Sequence, residues 1–469
     1  MRRIALVAIV VVLAICGAAS IPIIEARNAW SRGNDAEAMA IARRWSWLPF
    51  PLLDQKEVLN RAAAYAATDH VDKADAMLKS VDPKAPKYNI LRAAIAERKA
   101  GAAPYVFDRT GRAIASRRDH SVIATNSDFA PLMNGGALTI GAQVDRLGVT
   151  ATIDTTLDPF VQKAALEALG SYHGSIVAID PRTNEILAIA NSAPIANRAL
   201  EKEYEPGSVI KVLTGLNALS IGTNVDAMFP YVCNGELTID GRRFTDWVPQ
   251  GHGKLNTIDD AMAVSCNIYF ADLGLRLGPQ RLESFMRSAG FDGQTDLGIF
   301  QVPLGRIVGR NFDNFETAFF AIGLEHEEIN AIHLAMLASM VANRGVLTTP
   351  RLLRQRRSIL GDVVSVAPQQ GTTRIASAAA AERMIGAMQA VATEPRGTGH
   401  RAEVEGLTLA MKTGTAGERK NGLEALIMAF APVDKPKIAF SVIAEDAGPA
   451  EFAGAKIAHD FLEKMKPRL

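Results

Sequence analysis

The chain has 469 residues, 48% of them apolar, and its 51 lysines and arginines nearly balance 50 aspartates and glutamates, giving a formal net charge of +1. That length exceeds one ordinary core and predicts two or three domains. Opposite charges are mixed along the chain, so no basic footprint for nucleic acid exists and that class of partner is excluded.

Arg2 and Arg3 precede an uncharged run from Ile4 to Ile24. At about 1.5 Å per residue, such a helix crosses a hydrocarbon core of about 30 Å. Residues 1–25 therefore read as a single-pass signal anchor in the plasma membrane, with everything after Glu25 on the extracytoplasmic side. Cleavage after Gly17 to Ala19 and lipidation at Cys16 are the alternatives. The run outlasts the roughly 7–15-residue core of a cleaved signal, and Ile15 is bulky for a lipoprotein signal.

Residues 26–103 are Ala-rich and helix-periodic, with helices predicted near 35–45, 53–68, 71–79 and 85–99. Asp35-Ala36-Glu37-Ala38 and Asp72-Lys73-Ala74 hint at a tetratricopeptide-sized repeat. Two helix pairs fall short of the usual minimum, so a plain helical spacer is the preferred reading. Residues 104–148, with strand-like YVFDRT and RAIAS around Gly111, read as a linker.

From Val149 an extended piece and a helix over 157–169 lead to GSIVAID and EILAIAN, which flank Pro181-Arg182-Thr183-Asn184 and predict a hairpin at the centre of a sheet. Helices are expected to about residue 400. The strands LTLAMKTGTAG, LEALIMAFAP and KIAFSVIAED follow, and a helix from Phe452 to Met465 closes the chain. Residues 149–469 are thus expected to be an α+β domain, one antiparallel sheet built from distant segments and packed with helices, plus a helical subdomain. Cys233 and Cys266 are read as two free, buried thiols, since sequence does not give the separation a disulfide needs.

Three short strings carry chemistry. In Glu205-Pro206-Gly207-Ser208-Val209-Ile210-Lys211, Gly207 permits a sharp helix entry and Lys211 lies one turn after Ser208, on the same face. A lysine whose charge is disfavoured by burial can serve as the base that makes a serine nucleophilic. By chance a chain this long holds about one or two such S-x-x-K strings. Ser265-Cys266-Asn267 lies in AMAVSCNIYFADLG, expected to be one helix; Ser265 can relay a proton and the Asn267 amide can hold a substrate carbonyl. Lys412-Thr413-Gly414-Thr415 sits in a probable strand, where Gly414 marks close approach of a ligand, Lys412 offers a fixed positive charge and the threonines can bind a carboxylate. This is the rare string, and it decides the reading.

S-x-x-K, S-x-N and K-T-G in that order resemble the signature of penicillin-binding proteins and serine β-lactamases. Segments such as GSIVAIDPRTNEILAIAN, HGKLNTIDDAMAVSCNIYF and EPRGTGHRAEVEGLTLAMKTGTA extend the likeness over about 150–469 to the monofunctional transpeptidase domain. The resemblance implies Ser208 as nucleophile, Lys211 as its base, Ser265 as proton shuttle, Asn267 as a peptide contact, and Lys412 with Thr413, Gly414 and Thr415 as the carboxylate site. It implies a D-Ala-D-Ala stem peptide as substrate, β-lactams as acylating ligands, a membrane glycan polymerase as a partner, and neither cofactor nor metal. Gly323-Leu324-Glu325, Met411 and Leu423–Ile427 depart from the usual pattern around the cleft.

A D,D-carboxypeptidase, with water as acceptor, uses the same motifs. A β-lactamase is disfavoured because no E-x-x-L-N string lies between Ser265 and Lys412, and intact catalytic residues disfavour a sensor or scaffold. His326-Glu327-Glu328-Ile329-Asn330 begins like a zinc-protease helix but lacks its second histidine, and is expected as a surface helix.

Overall fold

The computed structural model describes residues 17, 20–29, 31–32, 34–44, 55–67, 70–101, 103–118, 121–133, 152–192, 197–367, 369–417 and 422–469. Most of the expected anchor, 4–24, lies outside them. Among the described residues no helix is long and apolar enough to cross a membrane.

One compact unit comprises residues 1–103 with 145–152 and 357–364. It contains α1 (Asp35–Arg44), α2 (Gln55–Ala67), α3 (Val71–Leu78) and α4 (Tyr88–Lys99), each within three residues of its predicted span. Ala62 and Ala66 of α2 meet Ala74 and Leu78 of α3 and Leu91 and Ile95 of α4 in one buried cluster. Ile359 and Leu360, from a turn far along the chain, complete that cluster.

The second unit comprises 104–144, 153–356 and 365–469. Strands β1 (Ala103–Phe107), β2 (Ala113–Arg118), β3 (Ser121–Ala124) and β4 (Thr152–Thr155) join Leu353–Arg357 and Val363–Val366 in a six-stranded sheet. The described part of 104–148 is therefore no free-standing linker. β1 pairs in parallel with β4, Val106 opposite Ile153, and buries Tyr105 and Val106 against Phe129 and Leu132, which so short a segment cannot do alone. Residues 134–150 of that segment lie outside the described ones.

The main sheet contains β5 (His173–Asp180), β6 (Glu185–Asn191), β7 (Ala410–Ala416), β8 (Glu424–Ala431) and β9 (Ile438–Glu445), antiparallel in the order β7-β8-β9-β5-β6. Its helices are α5 (Pro159–Leu169), α6 (Lys211–Ser220), α7 (Asn267–Leu277), α8 (Ala331–Ala342), α9 (Ala378–Thr393) and α10 (Ala453–Met465). Phe440 and Ser441 are consecutive on β9 and so point to opposite faces. Phe440 packs on Phe461 of α10, ring centroids 5.0 Å apart, while Ser441 Oγ donates to Ala331 O of α8 at 2.7 Å. Helices thus cover both faces of an α+β sandwich.

The predicted hairpin forms, but β6 is an outer strand and not central. It reads as a buried strand because its surroundings are closed: Ile186 N donates to Arg351 O at 2.9 Å, and Gln162 of α5 bonds both backbone groups of Ile189 at 2.9 and 3.0 Å. The stretch expected to be helical to about residue 400 also carries two-stranded ribbons, such as Glu236–Ile239 with Arg242–Thr245. The segment 326–330 is extended, not a surface helix. Glu327–Glu328 pairs with Arg306–Ile307, and Tyr204 and Ile329 exchange both backbone hydrogen bonds at 2.9 and 2.8 Å, a pattern a helix cannot offer.

Candidate active site

Gly207 has φ +58°, and its N–H donates to Gly323 O at 2.7 Å. A Cβ there would lie 2.6 Å from Thr415 O, so glycine is what lets this turn approach β7. The tight helical turn Gly207–Ile210 runs into α6 and leaves Ser208 half-buried, with Lys211 fully buried one turn later. Lys211 Nζ contacts Ser265 O at 2.7 Å, Asn267 Oδ1 at 2.6 Å and Ser265 Oγ at 3.3 Å. Among the described residues Ser208 Oγ has no hydrogen-bond partner. Burial dominates at Lys211 and lowers it to about 8, against the pull of Asp246.

The single helix expected around Ser265 is broken. Ile258–Ala263 ends, Ser265 takes φ +54°, and α7 starts at Asn267 with Cys266 as its cap. A left-handed serine costs about 1–3 kcal/mol and is kept only where its surroundings hold it. Here it aims the hydroxyl between two amines: Lys412 Nζ donates to Ser265 Oγ at 2.9 Å from the opposite side. Lys412 is fully buried in β7, and burial first, then the neighbouring Lys211, push its pKa well below the usual lysine range. The fixed positive charge expected of Lys412 is therefore corrected to an amine whose charge is disfavoured unless an anion joins it.

Gly414 is needed for closeness as well: a Cβ would meet Pro206 O at 2.6 Å. The hydroxyls of Thr413 and Thr398 share a hydrogen bond of 2.6 Å, whereas Thr415 Oγ1 accepts from Ala450 N at 2.9 Å. Ser208, Ser265, Asn267, Thr413 and Thr415 line one cleft of about 490 Å³, and Thr398 joins them. Its rim carries Trp247, Leu324, Leu423, Pro449, Glu451 and Phe452. Residues separated by some two hundred positions thus converge on one serine.

Residues 174–465, more than half of the chain, match the family model of the penicillin binding protein transpeptidase domain. The chain belongs to this penicillin-binding protein family. The peptidoglycan D,D-transpeptidase PbpA of Mycolicibacterium smegmatis is 28% identical over 342 residues, covering 63% of this chain and 67% of PbpA. MrdA of Acinetobacter baumannii, also named a peptidoglycan D,D-transpeptidase, is 30% identical over 342 residues, 62% of this chain and 50% of MrdA. The match thus spans half the length of that relative. The D,D-transpeptidase domain of a peptidoglycan glycosyltransferase from Eggerthella lenta superposes with a TM-score of 0.68 at 23% identity, covering 77% of this chain and 98% of that domain. PBPA from Mycobacterium tuberculosis gives 0.66 at 22%, over 77% and 98%. At such identities these likenesses establish a shared fold.

This penicillin-binding protein departs from the family pattern at positions with separable consequences. Leu324 and Leu423 line the cleft. Met411 is buried, and a Cβ on Gly399 would lie 2.5 Å from its sulfur, so it packs beneath the strand.

Sequence reasoning also missed Thr398, Trp247 and Asp246. Asp246 Oδ2 accepts from Asn267 N at 3.0 Å and stands 3.5 and 3.6 Å from the sulfurs of Cys266 and Cys233, while Oδ1 faces His252 Nε2 at 3.1 Å. Burial opposes its charge, but the bond to His252 and the field of Lys211 outweigh it and hold the carboxyl at about 2. Both cysteines are free and buried. The hydrogen bond between them is the largest influence on each: it lowers Cys233 and, with burial, raises Cys266. The ligand atoms of Cys233, Asp246 and Cys266 lie within 4.8 Å of one another. Two thiols, a carboxylate and a nearby imidazole are donors suited to a zinc-like cation, a capability the sequence reading did not assign.

Proposed function

We propose that this chain is a peptidoglycan D,D-transpeptidase acting through a Ser208 acyl-enzyme. The observation that carries the reading is Ser265 Oγ held between Lys211 and Lys412 in the cleft that exposes Ser208. A neutral lysine has two N–H bonds and one lone pair. Ser265 O and Asn267 Oδ1 occupy the two N–H bonds of Lys211, which leaves the lone pair to take the proton of Ser208. Ser208 Oγ then bonds to the penultimate D-Ala carbonyl, with the backbone N–H groups of Ser208 and Thr415 as donors to the oxyanion. The proton passes through Ser265 to the leaving amine, and the last D-Ala departs. Its carboxylate is met by Lys412, Thr413 and Thr398. In the second half, the amine of a neighbouring stem attacks the ester and the relay runs in reverse.

The relatives' printed names support this reading, as do the penicillin G, imipenem and ceftriaxone acyl-enzyme complexes of M. tuberculosis penicillin-binding protein A. Membrane anchoring through 4–24, with the catalytic unit on the extracytoplasmic side, belongs to the same reading and rests on the uncharged run after Arg2 and Arg3. So does a membrane glycan polymerase as partner. The test is fluorescent penicillin labelling of the full chain, followed by D-Ala release from a stem pentapeptide with and without an acceptor amine. Wild type labels, Ser208→Ala does not, and cross-linked product appears only with acceptor. Undiminished labelling of Ser208→Ala overturns the assignment, and D-Ala release without any cross-linked product makes the protein a carboxypeptidase.

A further inference from the structure

The cleft contains one carboxylate, and the catalysis above does not use it. Glu451 lines the wall beside Pro449 and Phe452, half-buried, and among the described residues it has no hydrogen-bond or ion-pair partner. Its place is fixed by its neighbour: Ala450 N donates to Thr415 Oγ1 at 2.9 Å, and Phe452 N donates to Pro449 O at 3.0 Å. The loop bearing Glu451 is thereby tied to the strand along which a peptide would lie.

β7 is an outer strand of its sheet, so a peptide can pair along it. The terminal carboxylate goes to Thr413 and Thr398, and the scissile carbonyl to Ser208 and Thr415. The residues before the penultimate D-Ala then continue past Thr415 toward Gly417, where Leu423, Pro449 and Glu451 stand. Cross-linking joins one stem to an amine of another. Because donor and acceptor are the same kind of stem, the donor carries that amine too, on the residue next to the D-Ala pair.

We infer that Glu451 is a specificity-determining residue that binds the side-chain ammonium of the diamino acid in the donor stem peptide. This rests on the transpeptidase reading. Leu423 and Pro449 cover the methylenes of that side chain, and the carboxylate receives its charged end. The pair also keeps the donor's own amine protonated, so it cannot attack the ester beside it.

The experiment measures kcat/KM for D-Ala release from two pentapeptides, one with a free side-chain amine and one with that amine acetylated. Both are run on the same preparation, so the ratio is independent of the folded fraction. Wild type is expected to favour the free amine about tenfold. In Glu451→Gln the ratio falls to about one, and Glu451→Asp restores part of it. A wild-type ratio near one, or an unchanged ratio in Glu451→Gln, overturns the inference. If wild type is labelled by penicillin but releases D-Ala from neither peptide, the transpeptidase reading itself fails.

Discussion

Lys412 Nζ donates to Ser265 Oγ at 2.9 Å, and Lys211 Nζ stands 3.3 Å from the same hydroxyl. Two buried amines cannot both hold their protons cheaply, and burial disfavours the charge on each. The hydroxyl between them is the bridge along which a proton can move. It also means that the substrate's carboxylate, arriving at Lys412, changes the charge balance at the base.

A base must be neutral to accept a proton. With Lys211 lowered to about 8, its neutral fraction grows as pH rises from 6 to 9. The second-order rate of acylation by penicillin should therefore rise about tenfold per pH unit below the midpoint and level off above it. A rate independent of pH across that range removes Lys211 from the role of base.

Gly207 is expected to tolerate no side chain. Its φ of +58° strains any L-residue by about 1–2 kcal/mol, and the added Cβ would lie 2.6 Å from Thr415 O. Pushing the serine turn off β7 separates the nucleophile from the carboxylate site. Gly207→Ala should lower the acylation rate about a hundredfold, while the unfolding midpoint moves by only a few degrees. Acylation at the wild-type rate would show that the turn and strand need not touch.

Much of this site is legible before folding, because Ser208 with Lys211 and Lys412 through Thr415 are local strings whose chemistry depends on residues within one turn or one strand. Thr398 and Asp246 are not legible, since each is a lone polar residue that acts on a partner at a distance in sequence, Thr413 and Asn267. The break at Ser265 is hidden for another reason. Both flanking segments are helix-periodic, and only the tertiary hydrogen bonds to the two lysines favour the left-handed turn. β6 was misplaced because an outer strand sealed by Gln162 and Arg351 has the composition of a central one. Glu327 inverts the usual rule: it is a buried carboxyl whose oxygens find no partner among the described residues, and burial, with Glu205 nearby, pushes its pKa well above the carboxylate range.

Asp246 acts through Asn267 and is a positioning residue. Its carboxylate holds the first N–H of α7 and so fixes where the Asn267 amide meets Lys211. Asp246→Ala leaves that N–H unpaired in a buried setting and should cost about 2–4 kcal/mol, with a parallel loss of acylation. Asp246→Asn keeps an acceptor oxygen and should recover part of both. Equal damage in the two variants would show that the charge, and not the hydrogen bond, is what matters.

His333 should make the second unit sensitive to acid. The ring is fully buried, with Nδ1 accepting from Gly305 N at 3.0 Å and Nε2 donating to Ala289 O at 2.9 Å. A second ring proton would face the Gly305 N–H, and burial lowers the pKa to about 4 from an ordinary 6.5. Between those values the unfolded chain binds more protons than the folded one. The stability contribution is then complete above pH 6.5 and is lost as pH falls toward 4, by about 3 kcal/mol. Urea unfolding of wild type and His333→Gln separates this from other titrations: the stability difference between them should shrink by about that amount from pH 7.5 to pH 4. A difference constant across the range would mean that His333 is protonated in the folded protein or that the segment opens before it titrates.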